Sequence, residues 1–290
     1  MKVLSFFNQK GGVGKTTATV NIGAALALML SYEAKAGKRP GRVLIIDMDE
    51  QTHSDMALST GFFGNRLARQ LGPYDNIAGL LTLETDRPIV DIITTAEIPR
   101  GAAQNLDYLP SSEQKMPKVD SALSAEPVDG VYRLREILLP IEHLYEYVVI
   151  DNPPAKNFVS TNSLVAATHV IIPVQLETLS LNGLVKTKKT IESVQRQQNP
   201  HLKLIGILPT MCDFRYQEEK EYLASLTNDY GDLVLPPISR RGEIKYAMSE
   251  GLDIFSFKPS RGKGEIASAS LATQEYARVA AEIRKRMDAR

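Results

Sequence analysis

Two lysines five positions apart in a glycine-rich run, Lys10-Gly11-Gly12-Val13-Gly14-Lys15-Thr16-Thr17, have the types and spacing to bind phosphate. Glycines let backbone N–H groups turn inward onto phosphate oxygens, and a helix that starts there adds its partial positive charge. Lys15 is placed to reach the β- and γ-phosphates of a nucleotide. The Thr16 hydroxyl is placed to ligate Mg²⁺, and Thr17 falls in the first helical turn near the α-phosphate. The strict motif wants a glycine five positions before Gly14, where this chain has Gln9. The remaining glycines keep the cradle physically intact, and the flanking apolar run and helical pattern outweigh a reading as a mere surface turn.

Acidic residues close two apolar runs in a way that suits the same chemistry. Residues 43–46 end in Asp47-Met48-Asp49, and residues 147–150 end in Asp151. An Asp at the end of a strand beside a phosphate loop can hold Mg²⁺ directly or through water, and Asp151 fits this best. Asp47 and Asp49 are two apart, so on an extended backbone they face the same side. One of them could orient or deprotonate the water that attacks the γ-phosphate. Taken alone, each carboxylate could equally cap a helix or sit in a solvated loop. Beside the phosphate loop, catalysis is the better reading.

Short β-branched runs at 3–7, 43–47, 147–151, 170–174 and 204–208 must position these residues. They are almost continuously apolar, as strands covered on both faces are, and helical patterns such as 18–30 and 178–197 lie between several of them. The expected fold is α/β: a doubly wound, mainly parallel sheet flanked by helices, in a single domain over residues 1–290. Residues 106–109 and 233–235 are expected as shorter strands and 34–41 as an exposed loop. The stretch 60–129 mixes Gly, Pro and charge and is the least legible.

Composition narrows the function classes. The 34 basic and 34 acidic residues cancel, so attachment to nucleic acid would need a local patch. The single cysteine, Cys212, excludes an internal disulfide framework and cannot by itself hold an iron–sulfur cluster. A reducing cytoplasm is the expected location, because neither a leader-like segment nor about 18 uninterrupted apolar residues occurs.

Lys10-Gly11-Gly12-Val13-Gly14-Lys15-Thr16, Asp47-Met48-Asp49-Glu50-Gln51 and Ile150-Asp151-Asn152-Pro153-Pro154 together resemble the deviant Walker-type ATPases of the ParA/MinD superfamily. Residues 106–112, 173–175, 208–215 and 238–240 extend the resemblance over nearly the whole chain. It is nearest to the ParA (Soj-like) partition ATPases, although Glu50 stands where that group usually has proline. The resemblance implies ATP and Mg²⁺ as cofactors and a homodimer in the ATP state. Lys10 would reach across that dimer to the phosphates held by the other subunit, the task of an arginine finger. It also implies that Asp49 is needed for hydrolysis, that Asp47 lies near the metal, and that Asp151 supports Mg²⁺ and its water. Thr210, Met211 and Asp213 match a segment that contacts base and ribose.

Relatives of this kind coat DNA without sequence preference and release it after hydrolysis stimulated by a ParB-like or adaptor protein, moving a plasmid, a chromosome origin or a protein assembly. The resemblance therefore implies a nucleoid-associated location. Candidate DNA contacts are Arg215, Arg240, Arg241, Lys245, Lys258, Arg261 and Lys263, although a scattered cation is more often only a solvated one. Ser239, Glu243 and Tyr246 replace a proline, a frequently basic residue and a glutamate of the family pattern. The first strand starts at residue 3, so no operator-binding helix-turn-helix domain is expected ahead of it, and direct autorepression is not expected either.

A MinD-like membrane-cycling ATPase would need a basic amphipathic tail. Ile266, Leu271, Tyr276, Val279, Ile283 and Met287 have helical spacing, but Glu275, Glu282 and Asp288 interrupt the charge, so a helix docked on the sheet is expected and no membrane partner. A nucleotide-dependent scaffold or regulator is a third alternative, disfavoured by the presence of both Asp47 and Asp49.

Overall fold

A computed structural model describes residues 1–50, 71–96, 105–258 and 270–289. Among them, seven strands form one sheet: β1 (Lys2–Phe6), β2 (Val43–Asp47), β3 (Thr94–Thr95), β4 (Leu106–Leu109), β5 (Tyr147–Asp151), β6 (His169–Val174) and β7 (Lys203–Pro209). Their spatial order is β3-β4-β2-β5-β1-β6-β7. Every pairing is parallel except the short β3, which runs antiparallel to β4 at the edge.

The continuous apolar strands are explained by two helical layers that divide their side chains by alternation. Leu4, Phe6, Val43, Ile45, Tyr147 and Val149 face one core, shared with α1 (Lys15–Lys35) and the C-terminal helix α10 (Leu271–Asp288). Val3, Leu44, Ile46, Val148 and Ile150 face the other. That layer contains α2 (Ile77–Thr82), α3 (Ile89–Ile92), α4 (Met116–Ala125), α5 (Arg133–Leu138), α6 (Phe158–Ala166), α7 (Thr178–Gln197) and α8 (Gln217–Tyr230). Helix α9 (Gly242–Ser249) follows β7 on the α1 side, where Ala247 joins the core.

The expected doubly wound sheet is therefore present, with three local differences. Helix α1 starts at Lys15 and runs through Lys35, into the stretch expected as a loop, so residues 36–42 are irregular, exposed at 36–40 and half-buried at 41 and 42. Residues 233–235 do not form a strand. Val234 makes one isolated parallel bridge to Ile207, and Pro236 and Pro237, which have no amide hydrogen, interrupt the pairing, which resumes when Ile238 donates to Pro209. In α10, Tyr276, Val279, Ile283 and Met287 are buried as their spacing predicts, whereas Leu271 at the first turn is 58% exposed. Ile266 lies outside the described residues.

Candidate functional site

The turn between β1 and α1 is fixed first by Asn8. This buried amide donates to the Pro173 carbonyl at 2.7 Å, while its Oδ1 accepts from the Lys10 amide at 2.9 Å and from the Thr187 hydroxyl at 3.2 Å. Gln9, at the motif's missing glycine, donates from Nε2 to Thr190 Oγ1 at 2.7 Å. The loop is thus tied to β6 and α7 by residues that a phosphate-loop search ignores. A polar Asn directly after an apolar strand was the available signal for the first tie.

Gly12 and Gly14 adopt φ of 74° and 75°, the left-handed region that other residues enter only at a cost. Gly14 is the N-cap of α1, so the unpaired amides of the first helical turn and the positive end of its dipole lie at the loop. The Lys15 side chain is buried, and its Nζ donates to the Lys10 carbonyl at 3.2 Å. Burial lowers its pKa, and the negative charges of Asp151 and Asp49 act in the opposite direction. The loop lysine and both acids therefore share one electrostatic neighbourhood.

Strand register brings the acids there. Asp47 at the end of β2 is the direct partner of Asp151 at the end of β5, and Asp151 in turn pairs with Phe6 at the end of β1. Asp47 and Asp151 are buried, and Asp47 Oδ1 accepts from the Asp49 amide at 2.9 Å, which fixes the turn carrying the third acid. Thr16 stands half-buried at the start of α1. The oxygen donors Thr16, Asp47 and Asp151 suit Mg²⁺, which binds through one or two carboxylates and keeps water and phosphate oxygens. The described residues include no cluster of three or more His, Cys, Asp or Glu able to hold a metal by itself.

Beyond the loop, Thr210 donates to the Val13 carbonyl at 2.8 Å and lies 3.0 Å from the Val174 carbonyl, so its hydroxyl braces the phosphate loop from behind. Met211 has φ 53° and, with Thr210, packs against Gly14. A cavity of about 570 Å³ opens beside them, between Gly14 and Thr17 on one side and Ile238, Ser239, Ile244, Met248 and Tyr276 on the other. The sequence motifs reached Thr210, Met211 and Ile238, but not the α9 and α10 residues of this cavity, which are distant in sequence and carry no motif.

Lys10 forms an ion pair at 3.0 Å with Glu177, which stands at the N-cap position of α7 without a side-chain cap bond. Asp213 does not line the cavity. Its carboxylate is paired with Arg215 at 2.8 and 2.5 Å, which pulls its pKa down to about 2. Arg240 and Lys245 lie exposed on the cavity rim, and Lys258 is exposed. Arg241 is held by Glu275 at 2.7 Å. Arg261 and Lys263 lie outside the described residues.

A protein-family model described as an AAA domain matches residues 1–204. The chromosome-partitioning ATPase Soj of Treponema pallidum is 34% identical over 261 residues, covering 88% of this chain and 90% of that protein. Among solved structures, the cobyrinic acid a,c-diamide synthase of Mycobacterium smegmatis with bound ATP analog and magnesium superposes with a TM-score of 0.74 at 27% identity, covering 100% of this chain and 96% of that one. McdA of Cyanothece in complex with ATP shares the fold, with a TM-score of 0.75 at 18% identity over 100% of this chain and 97% of that one. No helix of the described residues is long and apolar enough to cross a membrane. With a phosphate loop, the acids Asp47, Asp49 and Asp151 at and beside strand ends, and a full-length partition ATPase at this identity, the chain belongs to the ParA/Soj-like partition ATPases of the ParA/MinD family.

Proposed function

We propose that this chain is a Mg²⁺-dependent ATPase that dimerises on ATP, attaches to DNA without sequence preference and positions a cargo, with a ParB-like or adaptor protein stimulating turnover. The carrying observation is the meeting of Lys15, Asp47, Asp49 and Asp151 at the loop between β1 and α1. Residues 1–290 act as one unit in this reading, on the nucleoid within the cytoplasm.

Thr16, with Asp47 and Asp151 behind it, would hold Mg²⁺, which supplies charge neutralisation on the phosphate oxygens. Lys15 and the first-turn amides of α1 bind the β- and γ-phosphates. Asp49 orients the attacking water and accepts its proton as the bond from the γ-phosphorus to the bridging oxygen breaks, giving ADP and phosphate. Thr210 and Met211 place the nucleoside side toward the 570 Å³ cavity. Lys10 acts on the phosphates of the second subunit, so ATP binding and closure are one event.

Of the candidate DNA contacts that lie in the described residues, Arg240, Lys245 and Lys258 are exposed and carry the proposed attachment. Arg215 and Arg241 contribute less, being paired with Asp213 and Glu275.

Lys10→Ala tests the reading. The variant is expected to keep nucleotide binding within about tenfold, because Lys15 remains, and to lose ATP-dependent dimers in light scattering. Dimers of undiminished stability would sink the role of Lys10. In parallel, ATP is expected to raise affinity for arbitrary duplex with a steep salt dependence; binding to anionic liposomes without binding to DNA would favour a membrane-cycling ATPase instead.

A further inference from the structure

Ser239 stands at a position where the family pattern has proline, and the structure gives that difference a physical meaning. Its amide donates to Glu275 Oε2 at 2.9 Å and its hydroxyl to Glu275 Oε1 at 2.8 Å. Proline could make neither bond. The same carboxylate receives Arg241 Nη2 at 2.7 Å. Arg241 Nε also approaches Oε2 at 3.5 Å, so Glu275 gathers four donors from two nearby residues, and such charge-assisted bonds are among the stronger ones available to a protein. The Glu275 side chain is 15% exposed, so the cluster is largely shielded from water, and these bonds hold its pKa below the usual carboxylate value against the opposing effect of burial.

What this cluster holds is a wall of the cavity beside the phosphate loop. Ser239 and Arg241 both line that cavity, and so does Tyr276, the residue after Glu275. On the opposite side stand Gly14 and Thr17. On its other side the wall is held along the backbone: Ile238 donates to Pro209 at the end of β7, Cys212 donates to Ile238, Arg240 donates to Cys212, and Ile238 is buried in the core. Glu275 is the link that ties residues 239–241 to α10, and α10 is packed on α1, the helix that starts at the phosphate loop.

We propose that Glu275 is a positioning residue for nucleotide: it sets the distance between the 239–241 wall and the phosphate loop, and so the affinity for the nucleoside part. The inference rests on the ATPase reading above, because it takes the cavity as the place of base and ribose. Glu275 bonds Ser239 and Arg241 from outside the cavity lining, so its loss is expected to act on binding and to leave the chemical step alone.

The test uses the full chain with Glu275→Gln, Ser239→Ala and the wild type. Binding of a fluorescent ATP analogue, ATPase rates against ATP concentration, and urea unfolding without nucleotide are measured for each. Glu275→Gln is expected to raise both Kd and KM about tenfold, the effect of losing one or two charge-assisted bonds, with kcat within about twofold. Ser239→Ala, which keeps the amide bond and is less disruptive to folding, is expected to move KM in the same direction by about threefold. Unchanged KM in both variants overturns the inference, as does a fall in kcat parallel to a fall in urea midpoint, which marks a purely structural role. If the wild type itself fails to bind the analogue, the ATPase reading fails instead.

Discussion

At Gly12 the backbone has φ 74°, and a Cβ added there would meet nothing within 4 Å. Substitution therefore isolates the backbone cost from any clash. Gly12→Ala is expected to destabilise the fold by about 1–2 kcal/mol, the cost of placing an L-residue in the left-handed region. Denaturant unfolding checks this, and an unchanged midpoint would mean that the loop relaxes to another conformation. The glycines, Lys15 and the strand-end acids were legible because each carries its chemistry in its own type and spacing. Asn8, Gln9, Glu177 and Glu275 were not, because their roles rest mainly on partners 34 to 181 positions away. Arg215 and Arg241 show the converse: both have the charge expected of a DNA contact, but a neighbouring carboxylate already takes up each guanidinium.

Among the elements, α10 was read from its spacing as a helix docked on the sheet, and its apolar stripe is buried against α1 and β7. Ile283 is fully buried at the middle of that stripe, so Ile283→Ala is expected to cost about 2–5 kcal/mol through lost burial and the cavity left behind. Urea unfolding reads the cost directly, and a loss below about 1 kcal/mol would place α10 at the margin of the core. Strands buried on both faces were legible to within a residue or two, because continuous apolar runs bounded by polar residues leave little choice. The edge was harder. The two-residue β3 and the short helices of residues 77–92 bury few side chains each, so local pattern carries little signal there. At 233–235 an apolar run that looked like a strand is only a bridge, because two prolines follow it.

For the whole molecule, the end of the sheet opposite the nucleotide loop carries a buried titratable group. His169 lies 2.8 Å from the Thr168 hydroxyl and is faced by Lys203, Lys2 and Asp288. Burial, with the two lysines adding to it, lowers its pKa to about 4. An unfolded chain takes up a proton on this ring near pH 6.5, whereas the folded chain does so only near 4, so the unfolded state binds more protons between those values. Folding stability is therefore expected to fall as pH drops from about 6.5 toward 4, and to be fully present above that window. The measurement is the urea midpoint against pH for the wild type and His169→Gln. A slope between pH 6.5 and 5 that persists unchanged in the variant assigns the effect to another group.

The sequence by itself determined the chemistry and the fold class. Glycines, lysines, a threonine and carboxylates at strand ends can serve few purposes other than a phosphate site, and two-sided apolar strands alternating with helices can pack in few ways. Only the tertiary structure decided which residues stand together. The register of β2, β5 and β1 aligns Asp47, Asp151 and the phosphate loop, α7 receives Asn8, Gln9 and Lys10, and Glu275 ties the cavity wall to α10. Such pairings depend on contacts between segments remote in sequence, and no local pattern encodes a partner's position.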